Sequence, residues 1–296
     1  MAPVPPAERP NVLSGYRHAG EVSAAKANAQ SPAMEHSATD AVGAGFFDVD
    51  NTIMRGASIF HLAVGLARRN YFSMSEITGF AIKQLKFVTS GSEDLEDMAS
   101  ITESALSFIE GRDVSELEHL GEEIFDDVMV DKLIPGTLSL AQAHLDAGQP
   151  VWLVTATPVE IASLIARRLG LTGALGTVSE IIDGRYTGKL DGPPLHGLAK
   201  AEAVRALART QDIDLAASSA YSDSINDIPM LSCVGNPYAV NPDPELRAYA
   251  KANDWRVRDF RRRAHMRRYA LPAAAAAGGL ALGMAGGMAA ARLKGR

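Results

Sequence analysis

The sequence predicts an α/β fold: a parallel sheet, a helical bundle inserted after its first strand, and an apolar helix at the carboxyl end. Three observations carry that prediction. The apolar run Gly45 to Phe47 stops on two aspartates in "FFDVDNT", as a buried strand does when it delivers polar groups to a sheet edge. Four apolar stripes at helical spacing then follow with no strand between them, each with one face to bury. From Pro150 onward strand-like and helix-like segments alternate, the pattern of a parallel sheet with helices on its faces.

Taken in order, residues 1–40 are rich in Ala, Pro and Ser without sustained periodicity, which predicts a disordered arm. Residues 41–56 open the core with the strand that ends at Asp48 and Asp50. Residues 57–129 hold the four stripes. The first has Ile59, Leu62, Ala63 and Leu66, the second Ile77, Phe80, Leu85 and Val88, the third Leu95, Met98, Leu106 and Ile109, and the fourth Val114, Leu117, Ile124 and Val128. Successive helices of this kind predict an inserted bundle. Residues 130–260 return to the core: Pro135 and Gly136 mark the exit, and a helix from about Thr137 to Ala147 leads to a strand at Val151 to Val154. The run Thr155 to Pro158 is expected to turn into the next helix. "IIDGRYTG" reads as a hairpin about Asp183 and Gly184, "AKAEAVRALAR" opens a helix near Lys200, and a weakly apolar strand ends in "AYSDSIND".

With 47% apolar content over 296 residues the chain can bury a substantial core. The single cysteine, Cys233, excludes an intramolecular disulfide and a thiolate zinc cage, and the expected setting is cytoplasmic. The formal charge of -6 is uneven, because Trp255 to Arg296 holds ten Arg or Lys and one Asp. An acidic body of this kind predicts no nucleic-acid partner, while the basic tail suits an anionic surface. His61, His119, His144 and His196 have no metal-ligand spacing and read as surface or packing residues, and Cys233 as a small buried group.

In an open α/β sheet, ligands gather at the carboxyl ends of the strands. Asp48 with Asp50, Thr155, Lys200, and Asp223 with Asp227 fall at such ends or at the helix starts beside them. Carboxylates, a hydroxyl and an ammonium converging on one edge suit a divalent cation and a phosphate, and Mg2+ is the hard, oxygen-preferring ion for such donors. A cation also answers the crowding of Asp48 and Asp50, since like charges so close raise each other's cost of ionisation.

This constellation resembles the haloacid dehalogenase (HAD) superfamily over roughly Ala44 to Phe260. Its first motif, DxDx[T/V], is matched by Asp48, Val49, Asp50, Asn51 and Thr52, its second by Thr155, its third by Lys200, and its fourth by "DSIND", Asp223 to Asp227. The inserted bundle lies between the first and second motifs, where the phosphoserine phosphatase-like subfamily IB carries its helical (C1) cap. The resemblance implies a HAD-like Rossmannoid sheet and phosphatase chemistry. Asp48 would be the nucleophile that forms an aspartyl-phosphate, Asp50 the general acid and base, Thr155 and Lys200 the phosphate-binding pair. Magnesium would be held by Asp48, the main-chain carbonyl of Asp50, and Asp223, with Asp227 acting through water or behind the direct ligands.

One departure bears on the substrate. Serine-specific members grip the substrate amine with a glutamate shortly after the first motif, whereas Asn51 to Ser75 contain no acid. The expected substrate is a small phosphorylated compound. A lipid phosphate of the phosphatidylglycerophosphate kind and an idle regulatory protein on the same fold are the alternatives.

The tail, 261–296, favours the lipid. Residues 270–291 carry no charge and are flanked by "RVRDFRRRAHMRR" and "RLKGR", a length that suffices to span a bilayer. Gly279, Gly283 and Gly287 recur at a spacing that lets helices pack closely in lipid. Residues 256–291 are therefore expected to meet an anionic membrane surface.

Overall fold

A computed structural model describes residues 12–30, 42–71 and 109–261 of the chain. The second stripe of the expected bundle, most of the third, and the uncharged tail lie outside the described residues. Among the described residues no helix is long and apolar enough to cross a membrane.

Six strands form one parallel sheet in the order β3-β2-β1-β6-β7-β8. Strand β1 (Gly45–Phe47) is central, with Phe46 opposite Trp152 of β2 (Val151–Pro158) on one side and Ala220 of β6 (Ser219–Ser222) on the other. Strand β3 (Gly173–Thr177) pairs outside β2, while β7 (Asn236–Val240) and β8 (Arg256–Arg258) extend the other edge. Phe46, Phe47 and Trp152 are fully buried, as the continuous apolar runs of a two-sided sheet require. The expected turn at Thr155 is instead a continuation of β2 to Pro158, with a register shift against β3 between Val154 and Pro158. Such an irregularity bends a strand and re-aims its side chains.

The amino-terminal segment corrects an expectation. Val12–Gln30 form helix α1 rather than part of a disordered arm. Ala19, Ser23, Ala24 and Ala27 are buried in it, the Ser23 hydroxyl donates to the carbonyl of Gly176 at 2.9 Å, and Lys26 pairs with the buried Glu160. A Cβ on Gly20 would meet the backbone nitrogen of Ala203 at 2.6 Å, so α1 lies against α6 (Leu198–Thr210) nearly backbone to backbone. Small residues make that approach possible, and they also leave the helix almost without an apolar stripe to read.

Of the inserted segment, α2 (Ser58–Arg68) and α3 (Val114–Ile124) are described. They pack closely, since a Cβ on Gly65 would fall 2.4 Å from Ile124, and Arg69 ties the pair together through Glu123 at 3.0 Å and Asp127. Helix α3 continues through a π-helical turn, Phe125–Met129, and a 3₁₀ turn, Val130–Lys132. Pro135 stands in the first turn of α4 (Pro135–Asp146), where its missing N–H costs nothing. Arg168 of α5 (Val159–Arg168) reaches Glu122 at 2.9 Å and also Asp126, which anchors the root of the insert to the core. Strands β4 (Ser179–Ile182) and β5 (Arg185–Leu190) form the expected hairpin. Asp183 and Gly184 have φ of 51° and 76°, the left-handed pair that a tight hairpin turn needs.

Candidate active site

The chain leaves β1 at Asp48, whose N–H donates to the carbonyl of Tyr221 at 2.9 Å and so carries the ladder one residue past the strand. It then coils tightly: the N–H groups of Ile53 and Met54 both donate to the carbonyl of Val49, at 2.9 and 3.0 Å. Asn51 adopts φ 56° there, and its Oδ1 accepts from Gly56 N at 2.9 Å. This turn sets Asp48 and Asp50 at the carboxyl edge of the central strand.

Lys200 enters from the first turn of α6 and is 4% exposed. Its ammonium donates to Asp48 Oδ1 at 2.7 Å and to Asp227 Oδ2 at 2.8 Å. Asp227 closes a 3₁₀ turn, Ile225–Asp227, just after β6, and its Oδ2 accepts a further bond from the Ser222 hydroxyl at 2.7 Å. Asp223 sits in the same loop, half-buried. That loop is held from outside by Asp243, which accepts from Ile225 N at 2.8 Å through Oδ2 and from Leu246 N at 2.6 Å through Oδ1, the latter capping α7 (Pro244–Ala252).

On the other side of the edge, Asp50 Oδ1 accepts from the N–H of Ser58 at 2.8 Å and from its hydroxyl at 2.6 Å. The Ser58 oxygen lies 2.5 Å from Oγ1 of Thr157, and the Thr155 hydroxyl donates to Thr157 Oγ1 at 3.3 Å. Thr155 itself is 1% exposed at the carboxyl part of β2. Asp48, Lys200 and Asp227 are therefore bonded directly, while Asp50 and Thr155 are joined through two hydroxyls. Sequence reasoning did not single out Ser58, Thr157, Ser222 or Asp243. Asp243 had a local signal, an acid immediately before Pro244 at a helix start; the others are hydroxyls whose partners lie elsewhere in the fold.

Electrostatics follow from this crowding. Burial pushes the Asp48 carboxyl up to about 8, with Lys200 opposing and the charges of Asp227 and Asp50 adding to the rise. Burial likewise raises Asp223 to about 7, reinforced by Asp227. Burial acts against the Lys200 charge, but Asp48 and Asp227 outweigh it and hold the ammonium above the ordinary lysine range. Four carboxylates thus share one edge with a single ammonium. Among the described residues no three His, Cys, Asp or Glu side chains stand together as a metal cluster. The implied ligand set, however, needs only Asp48 and Asp223 as side chains besides the Asp50 carbonyl, and the excess of hard, negatively charged oxygen suits a divalent cation.

The fold and this edge define a hydrolase class. The haloacid dehalogenase-like hydrolase profile matches residues 46–232, and the chain belongs to that family; it is a phosphatase of the phosphoserine phosphatase-like kind. Phosphoserine phosphatase SerB1 of Mycobacterium tuberculosis is 53% identical over 248 residues, covering 84% of this chain and 79% of that protein. A solved structure of a protein with unknown function from Bordetella pertussis Tohama I is 31% identical with a TM-score of 0.67, and covers 75% of this chain and all of that one. A structure of the phospho-aspartyl intermediate analogue of phosphoserine phosphatase has the same fold, at 19% identity and a TM-score of 0.50, covering 78% of this chain and 99% of that one.

Proposed function

We propose that this phosphatase is a magnesium-dependent phosphomonoester hydrolase that works through a phosphoryl group carried on Asp48. The observation that carries the reading is the buried Lys200, bonded at once to Asp48 and Asp227 at the end of the central strand. An ammonium held there is charged and fixed before substrate arrives, as a group that neutralises a phosphoryl oxygen must be.

The residues divide the reaction between them. A carboxylate oxygen of Asp48 forms a bond to phosphorus while the bond from phosphorus to the substrate alcohol breaks. Asp50 gives its proton to the departing oxygen, then takes one from the water that attacks phosphorus, which releases phosphate and restores the Asp48 carboxylate. Thr155 and Lys200 hold the phosphoryl oxygens, and Ser222 and Asp227 keep Lys200 in place. Asp48, the Asp50 carbonyl and Asp223, with Asp227 behind them, would hold magnesium, which would supply positive charge to the phosphoryl oxygens.

Phosphoserine or a compound like it is the substrate we favour, on the similarity to the Mycobacterium tuberculosis protein of that name. The amine grip must then differ from an acid after the first motif, because Ala57 stands at the start of α2. Arg69 is committed to Glu123 and Asp127, and Arg112 lies 4.5 Å over the ring of Tyr71. A lipid phosphate is the second reading, favoured by that acid-free stretch and the basic tail. The test is magnesium-dependent phosphate release from phosphoserine, glycerol phosphate and a lipid phosphate in detergent. Preference for phosphoserine supports the first reading and preference for the lipid the second; no release from any ester with magnesium present overturns both.

A further inference from the structure

The general acid and base of the proposed reaction is held by groups that no motif assigns. We propose that Ser58 and Thr157 are positioning residues for Asp50, which orient its carboxyl so that one chosen oxygen exchanges the proton with the leaving alcohol. The inference rests on the reading of Asp50 given above.

Ser58 is wholly buried and Thr157 is 3% exposed, so neither hydroxyl is satisfied by bulk water. Ser58 does not serve as the cap of its own helix: the residue before α2 is Ala57, which has no capping side chain. The capping acceptor is instead the Asp50 carboxylate, which takes both the N–H and the hydroxyl of Ser58 on the same oxygen, Oδ1. A carboxylate at this position also gains from the positive end of the helix.

The hydroxyl protons then have a required order. Ser58 has one proton, and an ionised Asp50 is its charged acceptor, so the 2.5 Å contact with Thr157 must be filled by the Thr157 proton. Thr157 also accepts from Thr155 at 3.3 Å, a bond that Thr155 gives up when its one proton is donated to a phosphoryl oxygen. The hydroxyls of Thr157 and Ser58 therefore point one way, toward Asp50, with or without phosphate. Oδ1 already accepts two bonds, and a proton placed on it would face two donors. The proton is directed to Oδ2, the oxygen left for the substrate. The network also joins α2 of the inserted segment to β2 of the core, so Asp50 is aligned only when α2 is seated.

The test compares kcat/KM of the full chain on two esters, an alkyl phosphomonoester such as glycerol phosphate and p-nitrophenyl phosphate. This ratio reports steps up to alcohol departure, and p-nitrophenolate departs without a general acid. Ser58→Ala and Thr157→Val are expected to lower kcat/KM for the alkyl ester by about 10- to 100-fold, within the range that acid–base catalysis supplies. The aryl ester is expected to lose less than about 3-fold on the same principle. Thr157→Ser, which keeps the hydroxyl, is expected to retain wild-type selectivity. Asp50→Asn is measured alongside. If it loses the alkyl ester selectively while Ser58→Ala and Thr157→Val lose both esters equally or neither, the positioning role is overturned and the proposed function stands. If Asp50→Asn shows no selectivity, the role given to Asp50 fails and the positioning role with it. Thr157→Val keeps the shape of the side chain, so it decides the matter should Ser58→Ala prove unstable.

Discussion

The Lys200 ammonium lies 2.7 Å from Oδ1 of Asp48, with the two side chains 5% and 7% exposed. Removing the cation leaves the buried Asp227 without its partner, beside an Asp48 that burial already holds toward its neutral form. Lys200→Met is expected to abolish phosphate release and to destabilise the metal-free protein by about 3 kcal/mol or more, the scale for breaking a buried ion pair on one side. Chemical denaturation of the two proteins in chelator checks the second effect separately from the first.

Asp48→Asn should behave in the opposite way toward stability. Burial already holds that carboxyl up to about 8, so an uncharged isostere fits the site with little loss, and Asp227 remains to pair with Lys200. Turnover is expected to fall by at least about 10³-fold, as when a covalent nucleophile is lost, with an unchanged circular dichroism spectrum and a melting temperature no lower than wild type. A variant with normal activity would exclude Asp48 as the nucleophile.

Magnesium and pH are linked through the same acids. Asp48 and Asp223 are raised from 3.8 to about 8 and about 7. A group whose folded value is raised favours folding below its unfolded value, and that contribution is lost as pH rises through the folded value. The metal-free protein is therefore expected to lose stability between pH 4 and pH 8, and the melting-temperature gain on adding magnesium to be larger at pH 8 than at pH 6. Chelation should remove that gain together with the activity. A magnesium effect that is equal at both pH values would show that these carboxyls do not bind the ion.

The contact of α1 with α6 gives a prediction remote from the chemistry. A side chain on Gly20 meets the backbone of Glu202 and Ala203 within 3 Å, and backbone does not yield as a flexible side chain does. Gly20→Val is expected to cost about 1–3 kcal/mol, the range for overpacking a close contact, and to leave KM and kcat of the folded fraction unchanged. Urea titration with parallel kinetics checks both halves of the statement.

Which parts of this molecule were legible in its sequence follows from how each part is held. Asp48, Thr155 and Asp223 are marked locally, because at each of them an apolar or weakly apolar run stops at a polar residue. Lys200 was legible through its place at the start of an alanine-rich helix. Ser58 and Thr157 were not, since a hydroxyl near a helix start or strand end has a local use almost everywhere, and their meaning comes from a contact across 99 residues. Helix α1 escaped for a different reason: its buried face is Ala19, Ser23, Ala24 and Ala27, too small to stand out as a stripe and effective only because α6 offers an equally small surface. The change of β2 at Thr155 from an expected turn to a bulged strand depends on its pairing with β3, which no local pattern encodes.

The separation of Asp48 from Lys200 along the chain, 152 residues, and the further 27 residues to Asp227 have a consequence for biosynthesis. No segment released early from the ribosome contains the complete charge triad, and β1 is flanked by strands from distant parts of the chain. A product that stops before Lys200 has Asp48 without its ammonium. On the proposed mechanism, hydrolysis of phosphate esters therefore waits until the chain has been made at least as far as Asp227.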